Sequence, residues 1–302
     1  MSTLYTLQSK NVRRTWLLMS LFFVIVILVG WTFSAAYNAP EMLYGAVIIS
    51  VLMNVFAYWY SDKIVIKLAG ARPATREEYF NFYTVTENLC IAAGLPVPKL
   101  YVIDDPVPNA FATGRDRNHA VVAATTGLLS IMERNELEGV VAHELSHIGN
   151  RDILLSTIAV VLVGFISLLS DMFIRMSFFR NNRSDREGGS QFEAIIMMVG
   201  FVLAILAPFA ATLTQLAVSR RREYLADASG ALLTRYPEGL ASALEKISKH
   251  SAPMKKTNTA IAHIYLNDPY GNTRRRSWTN FMMTHPPIED RIALLRGMDN
   301  KK

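Results

Sequence analysis

The apolar residues of this chain fall in long blocks. Thr15 to Phe33 is one block, and no charged residue occurs between Thr15 and Pro40. Trp16 and Trp31 stand near its ends, where interfacial aromatics prefer to lie. Met42 to Ser61 is a second block, closed by Tyr58, Trp59 and Tyr60. A short linker, Ser34 to Glu41, joins them, so the pair is predicted to form a transmembrane hairpin. The first block reads as a retained helix. It exceeds the apolar core of a leader peptide, and Trp31 and Phe33 stand where a small-residue cleavage site would be needed. Two more blocks come later. Ile153 to Ser170 continues to Met176 past Asp171 and Arg175, and Ala194 to Ser219 contains Pro208. They are expected to cross the membrane as a second hairpin; docking on its surface is the alternative. The segment between them, Ser177 to Glu193, reads as an exposed, flexible loop.

Between the first two blocks and the last two, the pattern changes to that of a folded soluble part. Thr75-Arg76-Glu77-Glu78 reads as a capping box opening a helix. Phe82, Val85, Leu89 and Ala92 keep helical spacing, and Gly94 ends it. Lys99 to Ile103 and Ala120 to Thr126 read as strands, separated by turns at Asp104-Asp105-Pro106 and Gly114 to Asn118. Asn135, with Glu138 three residues on, is the expected N-cap of a helix running through Val140 and Val141. The predicted organisation is a membrane hairpin (1–61), a soluble part (62–152), a second hairpin (153–219) and a soluble C-terminal part (220–302).

Composition agrees with this pattern. Of 302 residues, 51% are hydrophobic and only 19% charged, an apolar skew typical of membrane proteins. Lys10, Arg13 and Arg14 precede the first block and the first hairpin loop carries no Lys or Arg, which places the N-terminus and both soluble parts in the cytoplasm. Arg180, Arg183 and Arg186 in the third loop run against that rule. The single cysteine, Cys90, allows no internal disulfide, as suits a reducing compartment, and reads as a buried apolar side chain. With so much membrane sequence, the net charge of +6 answers to anionic lipid rather than nucleic acid. Arg274, Arg275 and Arg276 form either such a contact or a solvated loop, the loop being preferred.

The chemistry lies in His143-Glu144-Leu145-Ser146-His147. Residues four apart share one face of a helix, so both imidazoles can grip one metal ion, and Glu144 is placed to take a proton from an attacking water. This is the zinc-hydrolase signature. Catalytic zinc needs a third protein ligand, and Glu223 is the best candidate. His147 lies just before the third apolar block and Glu223 just after the fourth, so a membrane hairpin would return both to one surface. Asp227, four residues on, can accept a hydrogen bond from the far nitrogen of a ligand histidine. Asp152 reads as a helix-end charge at the membrane surface in preference to a partner of that kind. His119, His250 and His263 read as isolated surface or packing residues. The strand at Ala120 to Thr126 is expected to offer a free edge to an extended substrate.

The chain resembles the HtpX-type membrane zinc metalloproteases, bacterial heat-shock proteases related to the CAAX prenyl proteases. The resemblance rests on the two N-terminal spans, Pro108-Asn109-Ala110-Phe111-Ala112, His143 to His147, the following hydrophobic pair, Glu223-Tyr224-Leu225-Ala226-Asp227 and Thr284-His285-Pro286-Pro287. It implies a mainly α membrane protein with a small α+β zincin-like catalytic domain and about four transmembrane helices. It implies one zinc held by His143, His147 and Glu223, with Glu144 as general base. It also implies transition-state stabilisation by His285, help from Arg291 in positioning that region, and Asn109 and Arg291 at the substrate cleft. Implied too are a multi-pass place in the inner membrane and cleavage of misfolded or damaged membrane proteins on the cytoplasmic side.

Rival readings are a CAAX-type protease with a narrow substrate, a catalytically inactive zinc scaffold, and a transporter with a structural zinc. The apolar blocks carry few ionisable residues, which counts against transport. Glu144 has no task in a scaffold, and four spans are few for a CAAX-type chamber.

Overall fold

The computed structural model describes residues 4–181, 200, 202, 206, 219–255, 258, 260–271 and 286–299. Helices α1 (Leu4–Tyr37) and α2 (Pro40–Ala69) form the first hairpin. They contain the stretches Asn11–Ala35 and Leu43–Ala69, both long and apolar enough to cross a membrane. Trp16, Leu17, Leu28 and Trp31 of α1 and Ile48, Phe56 and Trp59 of α2 are exposed, a surface suited to lipid and not to water. Gly70 ends α2 in the left-handed region at φ 64°, its N–H bonded to the carbonyls of Ile66 and Lys67.

A four-stranded sheet follows, built from β1 (Arg72–Pro73), β2 (Lys99–Ile103), β3 (Ala110–Gly114) and β4 (Ala120–Thr125) in the order β1-β2-β4-β3. β2 runs parallel to β4, and β3 antiparallel to it with Ala112 opposite Val122. Every residue of β3 and β4 is buried, because both faces of the sheet are covered. The two-residue period divides the covering. Leu100, Val102, Ala110, Ala112, Val122 and Ala124 pack into a soluble core with α3 (Phe80–Ala93) and α5 (Arg134–Gly149). Ile103, Phe111 and Ala123 pack into a second core with Leu18 and Phe22 of α1 and Leu155, Ile158 and Leu162 of α6 (Asp152–Asn181). The sheet is thus the partition between the half that carries α3 and α5 and the half that carries α1 and α6.

Several expectations change here. α3 begins at Phe80, not near Thr75, since Glu78 is drawn into a two-pronged pair with Arg72 (2.8 and 3.1 Å) and Arg76 pairs with Glu87 at 2.6 Å. The short α4 (Thr126–Ile131) is capped by the Thr125 hydroxyl. α5 is capped by Glu133, not Asn135. The Glu133 N–H donates to the Glu136 carboxylate at 2.8 Å, and that buried carboxylate is also held by Lys246 and Ser242, each at 2.6 Å. β4 is a central strand and has no free edge; the edge belongs to β3. The run from Ile153 is helical, but Ile153 to Leu162 lie mostly buried against α1, α2 and β3. That part of the third block therefore owes its apolarity to packing. The fourth block and the loop before it fall almost wholly outside the described residues.

α5 and α6 meet at 83°, with Arg151 at the corner in the left-handed region at φ 57°, an unfavourable conformation for a side-chain-bearing residue. Further along the chain come α7 (Arg220–Thr234), α8 (Pro237–Lys249) and α9 (Ile288–Asp299). α8 lays Leu240, Ala243, Leu244 and Ile247 on α5. Gly139 makes that approach possible: a Cβ there would stand 2.6 Å from the Leu240 nitrogen. Gly139→Ala should therefore lower the thermal midpoint in detergent. Alanine is the better helix former by about 1 kcal/mol, but the backbone it meets cannot yield, and overpacking costs about 1–3 kcal/mol. A raised midpoint would refute this account of the α5–α8 contact.

Candidate metal centre

α5 carries His143 and His147 on one face, and their Nε2 atoms lie 3.2 Å apart. α7 brings Glu223 against them from its first turn. One carboxylate oxygen is 3.8 Å from Nε2 of His143 and the other is 3.7 Å from Nε2 of His147. Ligands held at about 2.0–2.1 Å round a tetrahedral ion stand about 3.4 Å from one another, so these three groups fit a single ion. α7 reaches this position because Gly230 faces α5. A Cβ at Gly230 would sit 3.0 Å from the His143 nitrogen.

The far nitrogens are held as well. His143 Nδ1 lies 2.9 Å from Asp227 Oδ1, and His147 Nδ1 lies 3.2 Å from Asp152 Oδ2. Such carboxylates fix the tautomer that leaves Nε2 free to bind a metal. Arg291, wholly buried, grips Asp227 with two bonds of 2.8 and 2.6 Å. Burial pushes the Asp227 carboxyl up, but the Arg291 charge and its hydrogen bonds, with those of His143, bring it down to about 2. Burial alone would strip the proton from His147, yet Asp152, Glu223 and Glu144 raise it to about 9. The negative field that holds a proton there favours a metal cation equally. Among the described residues around this centre, the buried carboxylates Glu144, Asp152, Glu223 and Asp227 outnumber the buried guanidinium groups Arg222 and Arg291.

Glu144 is buried and lines the same cavity as the three candidate ligands, together with Ala112 of β3, Asp152, Ser156, Arg222 and the segment His263 to Leu266. Burial pushes its carboxyl above the ordinary value, against the pull of His143 and His147.

The structure brings together His143, His147, Glu223, Asp227 and Glu144. It places two other candidates elsewhere than expected. Asn109 is buried and does not open on the cavity; its amide bonds both the carbonyl and the N–H of Asn267, at 2.8 and 3.1 Å. Arg291 lies behind the ligands as the partner of Asp227, not in a cleft. His285 lies outside the described residues. Asp152 is no surface charge but buried beside His147; its place five residues after His147 is the sequence signal for that role. His263 is in the cavity wall, a placement no local pattern announces. His119 pairs with Asp116 at 2.8 Å and His250 with the Lys246 carbonyl at 2.8 Å, both exposed.

Two paired histidines, a carboxylate from a second helix and a buried glutamate beside them define a metallohydrolase of the His-Glu-x-x-His kind, carried by a chain with two membrane-length helices. Comparison with known proteins gives the family. Residues 81–299 match the model of Peptidase family M48, and the chain belongs to that family. It is 46% identical over 300 residues to "Protease HtpX homolog" of Dictyoglomus thermophilum, covering 99% of this chain and 96% of that one. It is 43% identical over 302 residues to the protein of the same name from Lactobacillus helveticus, covering 98% and 100%. The crystal structure of S. mikatae Ste24p aligns with a TM-score of 0.48 at 19% identity, over 92% of this chain and 62% of that one, just under two thirds of its length. The HtpX resemblance therefore stands, and the protein is a membrane metalloprotease.

Asp227→Asn removes the charge that holds His143 while leaving the three donors in place. Metal affinity should fall about 10–100-fold, measured by chelator competition on the full-length protein in detergent. Unchanged affinity would remove Asp227 from the centre.

Proposed function

We propose that this chain is a zinc-dependent endopeptidase of the inner membrane that cleaves misfolded or damaged membrane proteins on the cytoplasmic side. The observation that carries the reading is the convergence of His143, His147 and Glu223 in one cavity with the buried Glu144. Bound by those three residues, zinc would supply Lewis acidity to a scissile carbonyl and to an attacking water. Glu144 takes the proton of that water and delivers it to the leaving amine. Asp227 and Asp152 hold the imidazoles, and Arg291 keeps Asp227 ionised. His285, assigned through Thr284-His285-Pro286-Pro287, donates to the developing oxyanion.

One contact supports this orientation. Asn11, one residue after Lys10, touches Asp152 beside His147. The metal centre therefore lies at the end of α1 that bears Lys10, Arg13 and Arg14, and basic ends stay in the cytoplasm. The proposed division is two hairpins and two soluble parts (1–61, 62–152, 153–219 and 220–302), the second hairpin resting on the apolar blocks of the sequence. α1 and α2 lie in the bilayer, and the sheet and α5 face the cytoplasm.

The edge of β3 is where an extended substrate would pair. The Leu266 N–H donates to the Ala110 carbonyl at 2.9 Å from that outer side. By the two-residue period, Ala112, which lines the cavity, turns its backbone groups the same way. Main-chain pairing reads no side chains and suits damaged proteins of any sequence. Ala112→Pro, which an edge strand tolerates, should reduce cleavage with zinc retained; undiminished cleavage would move substrate binding elsewhere.

The central test compares wild type with Glu144→Gln, in detergent with zinc, on unfolded casein. Wild type should cleave, and the variant at least about 100-fold more slowly, with equal zinc in both. Wild type that holds zinc and cuts nothing would overturn the reading in favour of a narrow substrate or a scaffold.

A further inference from the structure

The first membrane helix reaches into the metal centre. Asn11 opens the apolar span Asn11–Ala35 and is only 6% exposed. Its Nδ2 donates to Asp152 Oδ1 at 2.5 Å and to the Asn150 carbonyl at 3.3 Å. Both partners can only accept, so the orientation of the amide is fixed by chemistry. The other oxygen of Asp152 faces His147 Nδ1 at 3.2 Å. Arg222 Nε is 3.9 Å from the oxygen that Asn11 holds.

Asn11 differs from the rest of its helix face. Thr15, Leu18, Met19 and Phe22 follow it at helical spacing and are buried, the last three in the core shared with α6. The Thr15 hydroxyl bonds back to the Asn11 carbonyl at 3.0 Å and so stays within α1. Of these described residues, Asn11 is the one with a hydrogen bond that reaches a group one step from a candidate metal ligand. A buried amide costs free energy unless bonded, and here its strongest bond goes to the carboxylate that orients His147.

We infer that Asn11 is a positioning residue of the metal centre: it fixes the Asp152 carboxylate that orients His147, making the first membrane helix a part of the metal site. This rests on the reading of His143, His147 and Glu223 as metal ligands. Asn11 touches neither metal nor substrate and acts through Asp152. The helix most exposed to lipid is thereby tied to the ligand set, and shifting α1 along its axis would loosen His147.

The test measures zinc affinity by chelator competition on full-length protein in detergent, for wild type, Asn11→Leu, Asp152→Asn and the double variant. Thr15→Val controls for packing along α1. Asn11→Leu should weaken zinc binding about 10-fold or more and alter the visible spectrum of the cobalt-substituted protein. The double variant should bind no more than about threefold more weakly than Asp152→Asn alone, since both changes break one chain of contacts. Thr15→Val should bind as wild type. Affinity within about twofold of wild type for Asn11→Leu, or losses that multiply in the double variant, would overturn the proposal. Equal loss in Thr15→Val would overturn it too, since helix packing would then be the cause. If Asn11→Leu does not assemble, Asn11→Ser carries the same comparison, its hydroxyl being too short to reach Asp152. Wild type that binds no zinc would fell the metal-centre reading itself, an outcome distinct from all of these.

Discussion

Two imidazole nitrogens facing each other at 3.2 Å inside a buried cavity call for a proton or a metal ion between them. Two lone pairs cannot share that space without a proton or a metal. The surrounding structure serves this demand. A carboxylate must come from another helix, so α7 has to approach α5 to backbone distance, and Gly230 leaves the room. The outer nitrogens must be turned away and held, which takes Asp227 and Asp152. These buried carboxylates cost desolvation energy in their turn, and Arg291 and Arg222 offset part of it. The balance still favours a cation, and the field that raises His147 marks where it would sit.

The sheet gives this centre its fixed frame. A strand with both faces buried cannot shift by one residue without exchanging the side chains of two cores. Here one core belongs to the soluble helices and the other to α1 and α6. The alternation of Ala112 with Phe111, and of Val122 with Ala123, locks the metal helix and the membrane helices into one register. Rigid elements hold donor atoms better than loops do, and every described candidate ligand stands on α5 or α7.

Much of this was legible in the chain. The helical spacing of His143 and His147, the membrane-length block from Thr15 and the strand at Lys99 to Ile103 are local patterns, and local patterns reach the structure intact. Glu223 was legible because connectivity leaves few ways to return a chain to one surface. What was hidden depended on partners distant in sequence. Glu78 reads as a cap until Arg72 takes it. Asp152 reads as a surface charge until Asn11 and His147 close round it. The strand at Ala120 reads as an edge until β3 folds back beside it. His263 enters the cavity wall through contacts of its segment with β3, which no periodicity records.

The sharp corner between α5 and α6 has a geometric consequence for whatever the site acts on. It brings the Asp152 carboxylate to 3.2 Å from His147, and Asp152 touches the first residue of a membrane-length span. With that span in the bilayer, the centre would sit at a set height, close to the mouth of the bilayer. A polypeptide anchored in the same bilayer could present only the stretch lying within a short reach of its own anchor. The position of the cut would be measured by tether length, as on a ruler, with the amino-acid sequence at the cut left free to vary.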